Sequence, residues 1–347
     1  MTRLIVWVAG LALAACSGSD GGTHDAALGG HDAAQGHDAA SGVDGAMTSH
    51  DASMGVDAAQ HDAQHGNDAQ VDAGADSSVD SDGWRLVWSD EFDGTAIDGS
   101  KWQHEVNCWG GGNNEQQCYV SDAKNSFVQG GALHLVALAD SPMGAIGGPD
   151  NNASVVTRPY SSARLNTRNR GDFKYGRIEA RITLPYGQGL WPAFWMLPTD
   201  NVYGGWAASG EIDIMEAVNL GPNENRIYGT LHYGGSWPNN VHTGMETTPS
   251  SSPWQNAHVY AVQWQEGEIR WYVDGELYET QTAWNTSAAA FPAPFDQRFH
   301  ILLNVAVGGA WPGSANNTTT FPQEMVVDYV RVYECTANPN TGIGCGP

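Results

Sequence analysis

Three carboxylic acids stand close together in one apolar stretch, Gly210-Glu211-Ile212-Asp213-Ile214-Met215-Glu216-Ala217. The isoleucines favour a strand, where successive side chains point to opposite faces. Glu211 and Asp213 then share one face, and Ile212 and Ile214 take the other. Strict alternation would turn Glu216 into the core, but a one-residue bulge near Met215 returns it to the face of Glu211 and Asp213. Glu211 and Glu216 are then roughly four strand steps apart, about 13 Å between Cα atoms. Side chains leaning inward from that distance bring the carboxyls toward the separation of about 5–5.5 Å used by a retaining glycosidase. Three like charges in a row stabilise no sheet, so the arrangement points to chemistry by a pair of carboxyls.

Such a strand needs a sheet around it, and the flanking sequence supplies one. From Gly176 to Leu184, Ile178, Ala180, Ile182 and Leu184 alternate with Arg177, Glu179, Arg181 and Thr183, which predicts a strand with one buried face. Glu268–Val273 alternates similarly, and Asp274-Gly275 supplies a tight hairpin turn into Glu276–Tyr278. Val259–Trp264, Ile301–Val307 and Met325–Tyr333 read as further strands. Gly and Pro punctuate the chain often and no long helical periodicity appears. The expected class is all-β, an antiparallel sandwich.

Only part of the 347 residues has the composition of a core. Residues 17–83 hold 13 Asp, no Lys or Arg, and a recurring His-Asp-Ala-Ala unit, as at His24–Ala27, His31–Ala34 and His37–Ala40. They read as a solvated, disordered tether, because so little apolar surface cannot offset the entropy of ordering. The catalytic domain is expected over 84–347. The whole chain carries a net charge of -24, an acidity that repels phosphate and excludes nucleic acid as a partner. At the N-terminus, Arg3 precedes the apolar run Leu4–Ala15, and Leu13-Ala14-Ala15-Cys16 follows the pattern of a bacterial lipobox. Residues 1–16 are thus expected to be a lipoprotein signal, with Cys16 lipidated and the protein exported and membrane-anchored, at the outer membrane or cell surface. Four cysteines remain. They allow three pairings, of which the local ones, Cys108–Cys118 and Cys335–Cys345, close the shortest loops and are expected.

The motif Glu211-x-Asp213-x-x-Glu216 resembles that of glycoside hydrolase family 16, specifically its bacterial laminarinase branch. Further stretches match in order: Tyr175–Arg181, Gly189–Leu197, Gly229–Tyr233, Leu303–Gly309 and Val327–Tyr333. The resemblance covers Trp84 to about Glu334. It implies a β-jelly-roll with an open cleft on the concave sheet and retaining endo-hydrolysis of β-1,3-glucan, with Glu211 as nucleophile and Glu216 as general acid/base. Asp213 would hydrogen-bond the nucleophile and raise the pKa of Glu216. His232 would lie near Glu216 and the +1 sugar.

Flat aromatics pack on the C–H faces of sugars, and the resemblance makes Trp191, Trp195, Trp206 and Trp237 candidates for that role. It adds Asn114 and Arg164 as contacts to sugars on the non-reducing side. It also implies a structural calcium ion, held by Glu91, the carbonyl of Gly131 and Asp328, and no cofactor for catalysis. The protein is expected to work as a monomer. Alternatives are the same chemistry on mixed-linkage β-1,3-1,4-glucan or a galactan, or a non-catalytic glucan-binding module.

Overall fold

The computed structural model describes residues 79–346, and the expectations for 1–16 and for most of 17–83 lie outside them. Residues 79–83, placed in the tether by composition, fall within the described chain. The Asp80 carboxylate accepts the backbone N–H of Trp84, and the Gly83 carbonyl accepts that of Thr336. Both expected disulfides, Cys108–Cys118 and Cys335–Cys345, are formed.

Two antiparallel sheets face one another, and among the described residues there is no helix. One sheet runs in the order Val241–Thr247, Ile227–Tyr233, Glu211–Glu216, Leu190–Pro198, Phe299–Val307, Arg164–Asn166, Gln103–His104. The other runs Glu276–Gln281, Glu268–Val273, His258–Gln265, Gly176–Thr183, Gln323–Cys335, Ala132–Ala137, Ser126–Gln129, with Trp84–Asp90 also paired to Gln323–Cys335. Side chains from both sheets interlock in a single core, among them Ile178, Ala180 and Ile182 from the alternation read above. The hairpin forms at Asp274-Gly275, both with positive φ, as the right-handed twist of paired strands requires.

Two departures from simple alternation have physical causes. Glu179 should face solvent, yet it is buried, because Arg177 reaches across to its carboxylate at 2.8 Å. The strand Phe299–Val307 is buried at all nine positions. Ile301, Leu303, Val305 and Val307 enter the core, while Leu302 and Ala306 lie in register with Trp195 and Trp191 and Asn304 accepts the Trp195 indole N–H.

The bulge inferred from the acid spacing is present. Along Glu211–Glu216, Asp213 pairs with Thr230 and Glu216 with Tyr228, so three steps on one strand match two on the next. The extra residue lets Ile214 and Met215 both enter the core, and Glu216 returns to the face of Asp213. The facing sheet holds this irregularity in place. The Trp271 indole N–H donates to the backbone carbonyl of Asp213 at 2.8 Å. It can approach because residue 229 is glycine: a Cβ there would stand 2.6 Å from the Trp271 ring and 2.5 Å from the Tyr278 hydroxyl.

Gly229→Ala should therefore displace Trp271 and lower both the melting temperature and the turnover. Trp271→Phe keeps an aromatic side chain but removes the donor to a buried carbonyl, a loss of about 1–3 kcal/mol on top of the smaller ring, readable by chemical denaturation. Wild-type stability in both variants would show that the bulge needs no such support.

Candidate active site

On the face opposite the core, cross-strand pairing lays down rows of side chains. One row runs from Glu216 through Ala193 and Asn304 to Arg164, and its neighbour joins Asp213, Trp195, Leu302 and Asn166. Glu211 lies opposite His232. Glu211 and Glu216 are half-buried and Asp213 is 2% exposed. All three sequence-predicted acids thus meet on one surface.

Each glutamate has its own indole. Trp206 donates to Glu211 Oε2 at 2.8 Å, and Trp191 donates to Glu216 Oε1 at 2.8 Å. His232 Nε2 stands 3.3 Å from Asp213 Oδ2 and 3.6 Å from Glu211 Oε1. The histidine expected beside Glu216 is therefore in contact with the other two acids, and the strand neighbours of Glu216 are Tyr228 and Ala193. Burial raises the pKa of all three carboxyls. Glu211 and Glu216 are each pushed up to about 8, by desolvation first and by the Asp213 charge second, and Asp213 is raised well above its usual range by desolvation. Their indole donors and the His232 charge act the other way. Carboxyls this close oppose one another's ionisation, so the site keeps protons toward neutral pH, as an acid catalyst requires.

The remaining predicted residues divide. Trp206 is 40% and Trp237 73% exposed, and the Trp237 backbone N–H donates to the Trp206 carbonyl, which couples the two loops. Beneath and beside Trp206 a cleft of about 530 Å³ opens between Gln103, Glu105, Asn166, Arg168 and Asn201. Trp191 packs edge-on against Trp311, which also meets Tyr228. Trp195 is tied to Asn304 by its indole N–H at 2.8 Å. Arg164 lies over the Tyr119 and Trp195 rings and pairs with Glu105 at 3.5 Å. Asn114 is exposed on the turn after Gly110–Gly112, with φ of 60°.

Sequence reasoning missed Glu105, Tyr228, Asn304 and Trp311. A signal existed for two of them. Asn304 is the lone polar residue in Ile301–Val307, and Tyr228 shares the alternation of Thr230 and His232. Glu105 and Trp311 sit in loops with no periodicity to announce them.

The three residues expected to bind calcium border one strand. Gln323–Cys335 pairs through Val330 with Asp90 and through Val327 with Leu133, which brings Glu91, Gly131 and Asp328 to one edge. Their oxygens are of the kind calcium takes. Both carboxylates, however, are engaged: Glu91 by Arg331 at 2.8 Å, which lowers its pKa, and Asp328 by Arg181.

A pair of indole-bound glutamates on one face of a sheet, with the exposed Trp206 beside the first of them, is the apparatus of a glycoside hydrolase. Comparison with known proteins agrees. The pattern of the family described as Glycosyl hydrolases family 16 matches residues 137–331. The chain is 43% identical over 73% of its length to glucan endo-1,3-beta-glucosidase A1 of Niallia circulans, and spans 38% of that protein. It is 40% identical over 75% of its length to a beta-glucanase of Rhodothermus marinus, and spans 88% of that protein. The solved catalytic domain of an endo-1,3-beta-glucanase (laminarinase) from Thermotoga petrophila superposes with a TM-score of 0.61 at 36% identity, over 73% of this chain and 98% of that one. The chain belongs to glycosyl hydrolase family 16, and its sandwich is the jelly-roll of that family.

The charges in the cleft predict opposite shifts in two variants. Asp213→Asn removes the repulsion that raises Glu216, so the basic limb of the kcat/KM–pH profile should move down by about one unit. Trp191→Phe removes a donor to the Glu216 anion, so the limb should move up. Native carboxyls with raised pKa hold more protons than unfolded ones. Stability should thus fall as pH rises from about 4.5 to about 8, and Asp213→Asn should flatten that fall. Limbs that stay in place in both variants would contradict this assignment.

Proposed function

We propose that this enzyme hydrolyses β-1,3-glucan internally and with retention of configuration, Glu211 acting as nucleophile and Glu216 as general acid/base. The observation that carries the reading is the bulge that sets both glutamates and Asp213 on one face of the cleft. Relatives named as endo-1,3-beta-glucanases or laminarinases support the substrate. Glu216 protonates the glycosidic oxygen as Glu211 attacks the anomeric carbon. The bond to the leaving sugar breaks and a covalent glycosyl-enzyme forms. Glu216, now a carboxylate, then takes a proton from water, which displaces Glu211. Trp206 fixes the nucleophile's second oxygen, and Trp206 and Trp237 offer exposed faces for sugar rings. Asn114, Arg164, Trp191, Trp195 and His232 complete the substrate contacts, Arg164 and Trp195 by forming the cleft floor. The presence of both glutamates argues against a purely binding role.

Two further readings stand on the sequence. The protein is a lipoprotein anchored through Cys16 and works as a monomer at the end of its acidic tether. A calcium ion joins the first and last strands of the domain at Glu91, Gly131 and Asp328, displacing Arg331 and Arg181 from the carboxylates.

Glu211→Ser should abolish release of reducing sugar from laminarin while the domain stays folded. Activity within tenfold of wild type would remove Glu211 from its role. Wild type should prefer laminarin to lichenan, agarose and carrageenan; a reversed order would move the substrate elsewhere in the family. Cys16→Ala should release the protein from membranes without altering turnover on soluble glucan; retention in the membrane fraction would exclude the lipid anchor. Calcium should raise the melting temperature of wild type but not of Asp328→Asn, and equal responses would exclude the site.

A further inference from the structure

The Glu211–His232–Asp213 cluster has a geometry that catalysis by two glutamates does not require. Its three facing atoms, one from each residue, lie within 4.8 Å of one another. His232 Nε2 is 3.3 Å from Asp213 Oδ2 and 3.6 Å from Glu211 Oε1. Zinc bonds nitrogen and oxygen at about 2.0–2.2 Å, which sets the ligands of a tetrahedron about 3.3–3.6 Å apart. The two measured edges have that length.

A second observation is independent of the spacing. Asp213 is 2% exposed, and its Oδ2 has no hydrogen-bond partner although it points at the imidazole. A buried carboxylate oxygen without a donor is costly, and a cation answers it. The other polar contacts leave the ligand atoms free. Trp206 occupies Glu211 Oε2, not Oε1, and Trp271 takes the backbone carbonyl of Asp213. His232 lies opposite both Glu211 and the exposed His242, so the cluster sits at the cleft surface, where water can take the fourth position.

We propose that Glu211, Asp213 and His232 form a zinc-binding site, and that zinc bound there switches the hydrolase off. One nitrogen and two carboxylate oxygens suit zinc, whereas calcium and magnesium seek oxygen ligands alone. Coordination uses the Glu211 oxygen that would attack the sugar and sets a dication where the positively charged transition state must form. Inhibition should therefore compete with substrate and reverse on chelation. Glu216 is not a ligand, which separates zinc binding from acid catalysis. The binding is independent of Glu211's assigned role; the inhibition rests on it.

Six of the twelve histidines lie in residues 17–83 and can take up zinc of their own. The test therefore compares full-length variants that differ only in the cleft. Glu216→Gln and Glu216→Gln/His232→Asn are titrated with zinc by calorimetry, and with cobalt(II) by visible absorption, where a tetrahedral site gives intense d–d bands. The expected result is one tight site fewer in the double variant, with loss of the cobalt bands. With Glu216 intact, the zinc inhibition constant, measured against each variant's own zinc-free turnover and KM, should rise at least thirtyfold in His232→Asn. His232→Gln should behave alike, as a check against an effect of misfolding. Identical zinc stoichiometry and identical cobalt spectra in the two full-length variants would overturn the site. Full wild-type turnover with the tight site saturated would overturn the inhibition, and with it the role of Glu211.

Discussion

One extra residue between Asp213 and Glu216 decides what this fold can do. Without a bulge to absorb it, the side-chain alternation of a strand would send Glu216 into the core and leave Glu211 without a partner. A bulge breaks ladder pairing and frees a backbone carbonyl inside the protein. That carbonyl is met by Trp271 from the facing sheet, which fits only because residue 229 has no side chain. Ile214 and Met215, adjacent in sequence, both enter the core. The packing between the sheets and the position of the acids are thus parts of one arrangement.

The same arrangement works against stability. Three carboxyls are drawn out of water onto one face, where each ionisation opposes the next. The compensations are local: an indole N–H for each glutamate and an imidazole between Glu211 and Asp213. These keep the charges tolerable without fully neutralising them, and a neutral residue in any of the three positions would be easier to bury. What remains is a floor with one oxygen still unpartnered, Asp213 Oδ2. That oxygen is both a cost to folding and an opening for a cation.

Much of this was legible in the sequence, for reasons particular to each residue. Ile178, Ala180 and Ile182 carry a period of two that only a half-buried strand explains. Asp274-Gly275 has the chemistry of a tight hairpin. The spacing of Glu211, Asp213 and Glu216 demanded a bulge, and the bulge lies between Asp213 and Glu216. What could not be read depends on partners distant along the chain. Arg164 was expected at the sugar from the family match, but its place over the Tyr119 and Trp195 rings had no mark in the sequence. His232 was expected near Glu216, whose carboxyl it does influence, but only the register of its strand sets it opposite Glu211 and against Asp213. Composition ended the tether at Gly83, whereas hydrogen bonds accepted by the Asp80 carboxylate and the Gly83 carbonyl tie those residues to the domain. Register and long-range hydrogen bonds leave no periodic mark in one sequence.

The central claim is that Glu211 and Glu216 hold different roles on one strand, and the anomer formed with azide tests it most directly. The substrate is a β-linked aryl glycoside whose phenol is acidic enough to leave unprotonated. With Glu216→Ala the glycosyl-enzyme still forms but lacks a base for water, so azide should restore turnover and give the β-glycosyl azide. With Glu211→Ala azide occupies the space of the missing nucleophile and should give the α-glycosyl azide. Anomeric coupling in the NMR spectrum tells the two apart. Reversed products would exchange the roles of the two glutamates. Absence of rescue in both, with inversion by the wild type on glucan, would contradict the retaining mechanism itself.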